Sequence, residues 1–214
     1  MSDVGADRRS ILDHGLHWLY AKVAGDLNTD VAGASERDID RWIKLACTQA
    51  GAAGFVTNLG GLITLPVAIP ANLAGTAAVQ MRMIAKIAAA RGYDTHSDEV
   101  RTFVFACLLG NAAADVLKEA GLRLGVRLGQ RLSGPALQRL NQTIVTRLLT
   151  RFGVQGAASL TKIVPVVSGL IGGGLDVAST RIVGAMAKRV FVVRPPAPVE
   201  IAPTQPVPLA LPAP

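Results

Sequence analysis

Cysteine, aromatic rings and charge are all scarce in this chain of 214 residues, and each scarcity removes a class of function. There are two cysteines, aromatics make up 4% and charged residues 17%. Cys47 and Cys107 have no C-x-x-C partner, which excludes a disulfide framework or zinc knuckle and fits a reducing cytoplasm. With so few rings the chain lacks stacking platforms for bases, so nucleic acid fits poorly as a partner despite a net charge of +7. The polar start, with Asp3 and Asp7 beside Arg8 and Arg9, has no signal-length apolar run behind it, so classical export is not expected. No G-x-S-x-G elbow, Walker loop, H-E-x-x-H or dinucleotide fingerprint is present. Gly172-Gly173-Gly174 lacks the Lys-Ser/Thr that phosphate cradling requires.

What is present is small and aliphatic. Apolar residues reach 50% and glycine 22 of 214, so backbones must approach closely. The length suits one domain, or a domain with a tail. Charge is uneven: residues 1–44 hold six bases against eight acids, whereas 101–194 hold thirteen bases against three. Such an excess favours an anionic partner, and a phospholipid surface is the leading one. Pro195 to Pro214 holds eight of the twelve prolines and one charge, Glu200, and reads as a disordered tail. The chain therefore divides into an N-terminal amphipathic helix and connector (1–34), a helical domain (35–194) and the tail (195–214).

Helical spacing predicts an amphipathic helix over Ile11–Val23, with Leu12, Leu16, Leu19 and Val23 on one stripe. Ser35 and Asp38 form a capping-box start, followed by Ile39, Trp42, Ile43 and Ala46 at helical period. Leu45 to Met81 is a run of 37 uncharged residues, broken by Pro66 and Pro70. The piece from Leu45 to Leu65 is long enough to cross a bilayer, or to dip into one. Its Thr48, Gln49, Thr57, Asn58 and Thr64 favour instead a buried helical hairpin. Gly92 should end the next helix, and Ser97 to Ala120 reads as a single helix with Phe103–Leu109 in the core. Gly121, Gly125 and Gly129, then Arg123, Arg127 and Arg131, then Leu124, Leu128 and Leu132 form three rows at four-residue spacing. A helix from about Pro135 should close at Gly153, and the last element should cover Ile163–Val193, with Val190–Val193 read as a helix end. The fold class expected is all-α, a compact multi-helix bundle.

Leu-Pro-Val-Ala-Ile-Pro at 65–70, Gln80, Ile84, Ile87, Arg-Gly-Tyr-Asp at 91–94, Asp98 and Arg101 together resemble the central signature of the EcsC protein family. Lys162, the glycine-rich segment up to Asp176, Thr180, Gly184, Ala187 and Phe191 resemble its C-terminal block, with Ser168 standing where a glycine is common. The likeness covers roughly Ile39 to Phe191. It implies a bacterial, helical protein of unestablished activity. Because the family takes its name from a protein encoded beside the ATPase and membrane subunits of an ABC transporter, the resemblance also implies transporter subunits as a partner class.

Two functions are expected from the residues. The first is a membrane-associated binding or accessory protein at the inner face of the cell membrane, needing no cofactor, with Arg123, Arg127, Arg131, Arg147 and Arg151 facing anionic lipid. Glycine ridges then serve packing within the chain or self-association into a homo-oligomer. The alternative is a magnesium-dependent enzyme acting on an isoprenoid diphosphate or another lipid-like substrate in an apolar cavity. Its metal candidates are Asp94, Asp98, Glu99, Asn111, Asp115 and Glu119, where carboxylates three or four apart can share one helix face. Asp94, Asp98 and Asp176 are the candidate catalytic acids. Capping and solvation explain the first six residues more simply, and a structural ion pair with Lys162 or an arginine of the 123–151 set explains Asp176. His14 and His17, beside Asp13, lack a third ligand and read as a solvated helix face.

Overall fold

The structure, a computed structural model, describes the backbone of residues 2–25, 27, 31, 33–53, 71–122, 132–160 and 165–193. Among these residues there are seven helices and no strand: α1 (Ser2–Gly25), α2 (Glu36–Ala53), α3 (Ala71–Ala90), α4 (Asp98–Cys107), α5 (Ala112–Glu119), α6 (Gly134–Leu160) and α7 (Pro165–Val190). The fold is an all-α bundle. The paired prolines at 66 and 70, Arg123, Arg127, Arg131, Gly125 and Gly129 of the four-residue rows, and the proline-rich tail lie outside the described residues. Gly121, expected to begin the glycine row on a helix, instead turns the chain at φ 77° after α5.

Local chemistry accounts for most of the helix ends. At α2 the Ser35 amide and hydroxyl both donate to Asp38 Oδ2, at 3.1 and 2.6 Å, while the Asp38 amide donates back to Ser35 Oγ at 3.3 Å. This is the reciprocal capping box that the sequence spacing predicts. Ser97 caps α4 by accepting from the Val100 amide, and Asp98 and Glu99 occupy the first turn, where the helix dipole favours acids. Pro165 opens α7, where its missing N–H costs nothing. The chain leaves α7 at Val190 without entering a strand, as expected.

Two expectations are corrected here. Ser97 to Ala120 is not one helix, because Gly110 at φ 63° turns the chain between α4 and α5. A side chain there would also meet Ile182 Cγ2 at 3.2 Å, so both conformation and space call for glycine. Conversely, Gly153 does not end α6, which continues to Leu160. A glycine inside a helix costs only about 1 kcal/mol, too little to end one by itself.

One core joins every helix. Leu12, Leu16 and Leu19 of α1, Ile39 of α2, Ile84 and Ile87 of α3, Phe103 and Phe105 of α4, Ile144 and Leu148 of α6 and Val183 of α7 are all buried in it. The helix of the 1–34 segment therefore belongs to the same core as the domain that follows. Tyr20 fixes it further: its hydroxyl donates to the Thr95 carbonyl at 2.7 Å, and burial pushes the phenol up to about 12.

Candidate functional site

The registers of α2, α3 and α7 define how charge is arranged along the bundle. Helices α2 and α7 run antiparallel. Lys188 Nζ meets Asp40 Oδ1 at 2.8 Å and Glu36 Oε2 at 3.0 Å, Gly184 faces Ile43, and Cys47 Sγ donates to the Val177 carbonyl at 3.6 Å. The contact at Gly184 is so close that an added Cβ would lie 2.9 Å from Ile43 Cγ1. Helices α3 and α7 run parallel: Gln80 Nε2 donates to Ser179 Oγ and Thr180 Oγ1 at 3.1 and 3.0 Å, and Tyr93 lies edge-on to Phe191 with ring centroids 5.3 Å apart. The C-terminal end of α2 thus lies beside the N-terminal ends of α3 and α7. The four-residue link from Leu160 to Pro165 reaches at most about 18 Å, which brings the C-terminal end of α6 to the same pole.

Among the described residues that pole carries almost no charge. The 37 uncharged residues from Leu45 to Met81 include the last half of α2 and the first half of α3, and Lys162 is the only charge between Arg151 and Asp176. Leu45 and Leu175 are 55% and 60% exposed there, with Val177 also exposed. Where charge resumes it is basic on three helices, with Lys44 on α2, Arg82 on α3 and Arg151 on α6; on α7 the acid Asp176 comes first and Arg181 follows five residues on, so the basic level comprises Lys44, Arg82, Arg181 and Arg151. The pairings of Ile43 with Gly184 and Gln80 with Thr180 set the first three at one level of the bundle. Arg151 joins them, because the space beside Gly110 lies within 4 Å of both Arg151 Nη1 and Ile182 Cγ2. Lys44, Arg82 and Arg181 are exposed and form no ion pair among the described residues. The opposite end differs, since Glu36 and Asp40 there are neutralised by Arg91 and Lys188.

Between α3 and α7 a polar seam leads toward the uncharged pole. Thr180 is fully buried, Gln80 and Thr76 nearly so, and the Thr76 hydroxyl hydrogen-bonds Asp176. Burial raises the Asp176 carboxyl above its ordinary value, and the Thr76 hydrogen bond only partly offsets this. Its partner among the described residues is a hydroxyl, not the ion pair expected, and Lys162 lies outside them. Since the folded value is the higher one, the unfolded chain releases this proton first as pH rises. Stability should then decline with pH from about the ordinary carboxylate value up through the folded one, and lie flat beyond. Chemical denaturation across that interval should show this slope in the native protein and a shallower one in Asp176→Asn, which keeps the hydrogen bond.

The other sequence-predicted residues are dispersed. Asp94 Oδ1 accepts from the His96 amide at 2.9 Å, closing a turn, and Asp98 pairs with Arg101. Glu99 Oε1 is buried without a hydrogen-bond partner. Asn111 and Asp115 are exposed, and Glu119 accepts from Arg147 at 2.9 and 3.0 Å. Among the described residues no group of three or more His, Cys, Asp or Glu side chains is placed to hold a metal ion. Of the arginines expected to face lipid, Arg147 is engaged by Glu119 and Arg151 donates to the Leu108 carbonyl; Arg123, Arg127 and Arg131 lie outside the described residues. His14 is exposed, but His17 is not a free face: it pairs with Asp13 at 3.3 Å and lies edge-on to Phe105, at 5.2 Å between centroids. Sequence reasoning missed Lys44, Arg82 and Arg181. The signal that could have found them is that each adjoins or lies near a long uncharged stretch.

Nor is any helix among the described residues long and apolar enough to cross a membrane. Helix α2 ends at Ala53, so most of the 45–65 piece considered as a span lies outside the described residues.

Among the described residues the arrangement defines a helical bundle with one sparsely charged pole, a basic level beneath it and a polar seam, ending in Asp176, between two parallel helices. The EcsC protein family matches residues 33–195, about three quarters of the chain, and the protein belongs to that family. Helix α1 lies outside the match although it shares the core. No curated protein and no solved structure matches the chain.

Proposed function

We propose that this protein is a peripheral membrane protein that sets its uncharged pole into one leaflet, with Lys44, Arg82 and Arg181 at the level of anionic headgroups. The observation carrying this reading is the shared level of three cations, in no ion pair among the described residues, at the edge of a pole whose one described charge is Asp176. Beyond that level the uncharged parts of α2, α3 and α6 extend about 13–17 Å, at 1.5 Å per residue, while α7 extends further and carries Asp176, hydrogen-bonded to Thr76, within that depth. That is about the hydrocarbon depth of one leaflet, half of a core of about 30 Å. Penetration without crossing accords with the finding that no helix among the described residues is both long and apolar enough to span.

The energies are those of reversible binding. Three cations near an anionic surface contribute about 3 kcal/mol, at about 1 each. The exposed portions of Leu45, Leu175 and Val177 add about 1 kcal/mol apiece when they leave water. The location this implies is the cytoplasmic face of the cell membrane, and ABC transporter subunits are the partner class the family resemblance adds. In vesicle flotation the protein is expected to rise with vesicles containing phosphatidylglycerol and to remain at the bottom with phosphatidylcholine alone. Molar salt should release much of it. Equal recovery with both lipids, or none with either, would overturn the reading.

A further inference from the structure

At the edge of the pole, α2 and α3 enclose a groove of about 310 Å³. Its lining is mixed: Leu45, Ala46, Val79 and Met83 supply an apolar side, with Trp42 and Gln49 beside them. Among the described residues its charges are Arg82 and Lys86, and no acid lines it. The two cations stand four residues apart on α3, so their side chains are neighbours on one face, where like charges repel unless an anion lies between them. Lys86 Nζ is held over the Trp42 ring at 5.3 Å from its centroid, which keeps it in the groove. Neither cation has an ion-pair partner among the described residues.

We infer that this groove binds a single anionic phospholipid, with the phosphate between Arg82 and Lys86 and the first methylenes of an acyl chain along Leu45, Val79 and Met83. Charge complementarity selects the anion: a guanidinium and an ammonium converge where nothing acidic competes. The apolar wall selects an amphiphile over free phosphate, since an inorganic ion would leave Leu45 exposed and the groove wet. The groove also opens where the uncharged pole begins, so a lipid seated here keeps its tail on the side that the membrane reading places in hydrocarbon. The choice of a lipid as occupant rests on that reading.

Trp42 makes the site observable. In the full chain carrying Trp18→Phe it is the only tryptophan, and its ring lines the groove. Titration with dihexanoyl phosphatidic acid below its micellar concentration should change Trp42 emission saturably. Dihexanoyl phosphatidylcholine should bind at least about tenfold more weakly, Arg82→Gln with Lys86→Gln should weaken the phosphatidic acid response by about tenfold or more, and inorganic phosphate should leave emission unchanged. An unaltered response in the double variant, equal binding of phosphatidylcholine, or an equal response to inorganic phosphate would each overturn the inference. Flotation separates the two proposals. No response to monomeric lipid from a protein that floats with anionic vesicles removes the groove and leaves the membrane reading standing; a saturable response without flotation does the reverse.

Discussion

Phe105→Ala is expected to destabilise the protein by about 3–5 kcal/mol, enough to leave a marginal bundle partly unfolded. Phe105 is fully buried in α4, and two rings of α1 pack edge-on against it: His17 at 5.2 Å and Tyr20 at 5.9 Å, both at 86°. Truncation removes the apolar burial of a large side chain and leaves a cavity beneath both rings. It also loosens the Tyr20 hydroxyl from the Thr95 carbonyl. His17, whose pKa burial lowers with help from the nearby Arg101, would return toward its ordinary value as water reaches it. Urea unfolding should show the loss as a lower midpoint, and histidine titration by NMR should show His17 moving up. Phe105→Leu, which refills most of the space, should cost distinctly less. A change below about 1 kcal/mol for the alanine variant would mean that α1 is not docked on α4, and that the folded unit begins at α2, near the start of the family match.

That α1 belongs to the core was half legible in the sequence. The leucine stripe at 12, 16 and 19 announces a buried face but not what it is buried against, since periodicity carries no information about partners. Signals acting within one turn of chain were read correctly: Ser35 with Asp38, Gly92 after α3, Ser97 before α4. Gly110 and Gly153 show where such reading stops. Both are single glycines in helical patterns, yet one turns the chain at positive φ and the other lies inside a continuous helix. At Gly110 the deciding contacts are tertiary, since an added side chain would meet Ile182 and Arg151. The candidate metal residues are neighbours in sequence but not in function: Asp94 closes a turn, Asp98 pairs with Arg101, Glu119 with Arg147 across α5 and α6, and Asn111 and Asp115 are exposed. The unpaired basic level was illegible for a different reason. Lys44, Arg82 and Arg181 are far apart in the chain, and only the antiparallel register of α2 with α7 and the parallel register of α3 with α7 bring them together.

Register also permits the strongest test of the membrane reading. Lys44→Glu, Arg82→Glu and Arg181→Glu in one chain replace three attractions to an anionic surface with three repulsions, a change of about 6 kcal/mol. This corresponds to roughly four decades in partitioning, so flotation with anionic vesicles should vanish. The fold should tolerate the change, because all three side chains are exposed and none forms an ion pair among the described residues. Circular dichroism should show the helical content retained. The control alters net charge equally at the other end of the bundle: Arg37→Glu near the start of α2, Arg139→Glu near the start of α6 and Arg189→Glu near the end of α7, each also exposed and unpaired among the described residues. If placement governs binding, this second triple variant still floats, losing only the weak long-range part that salt screens within about 10 Å. Equal loss in both variants would mean that net charge alone attracts the protein to lipid, and undiminished flotation of the first would mean that the basic level does not face the headgroups.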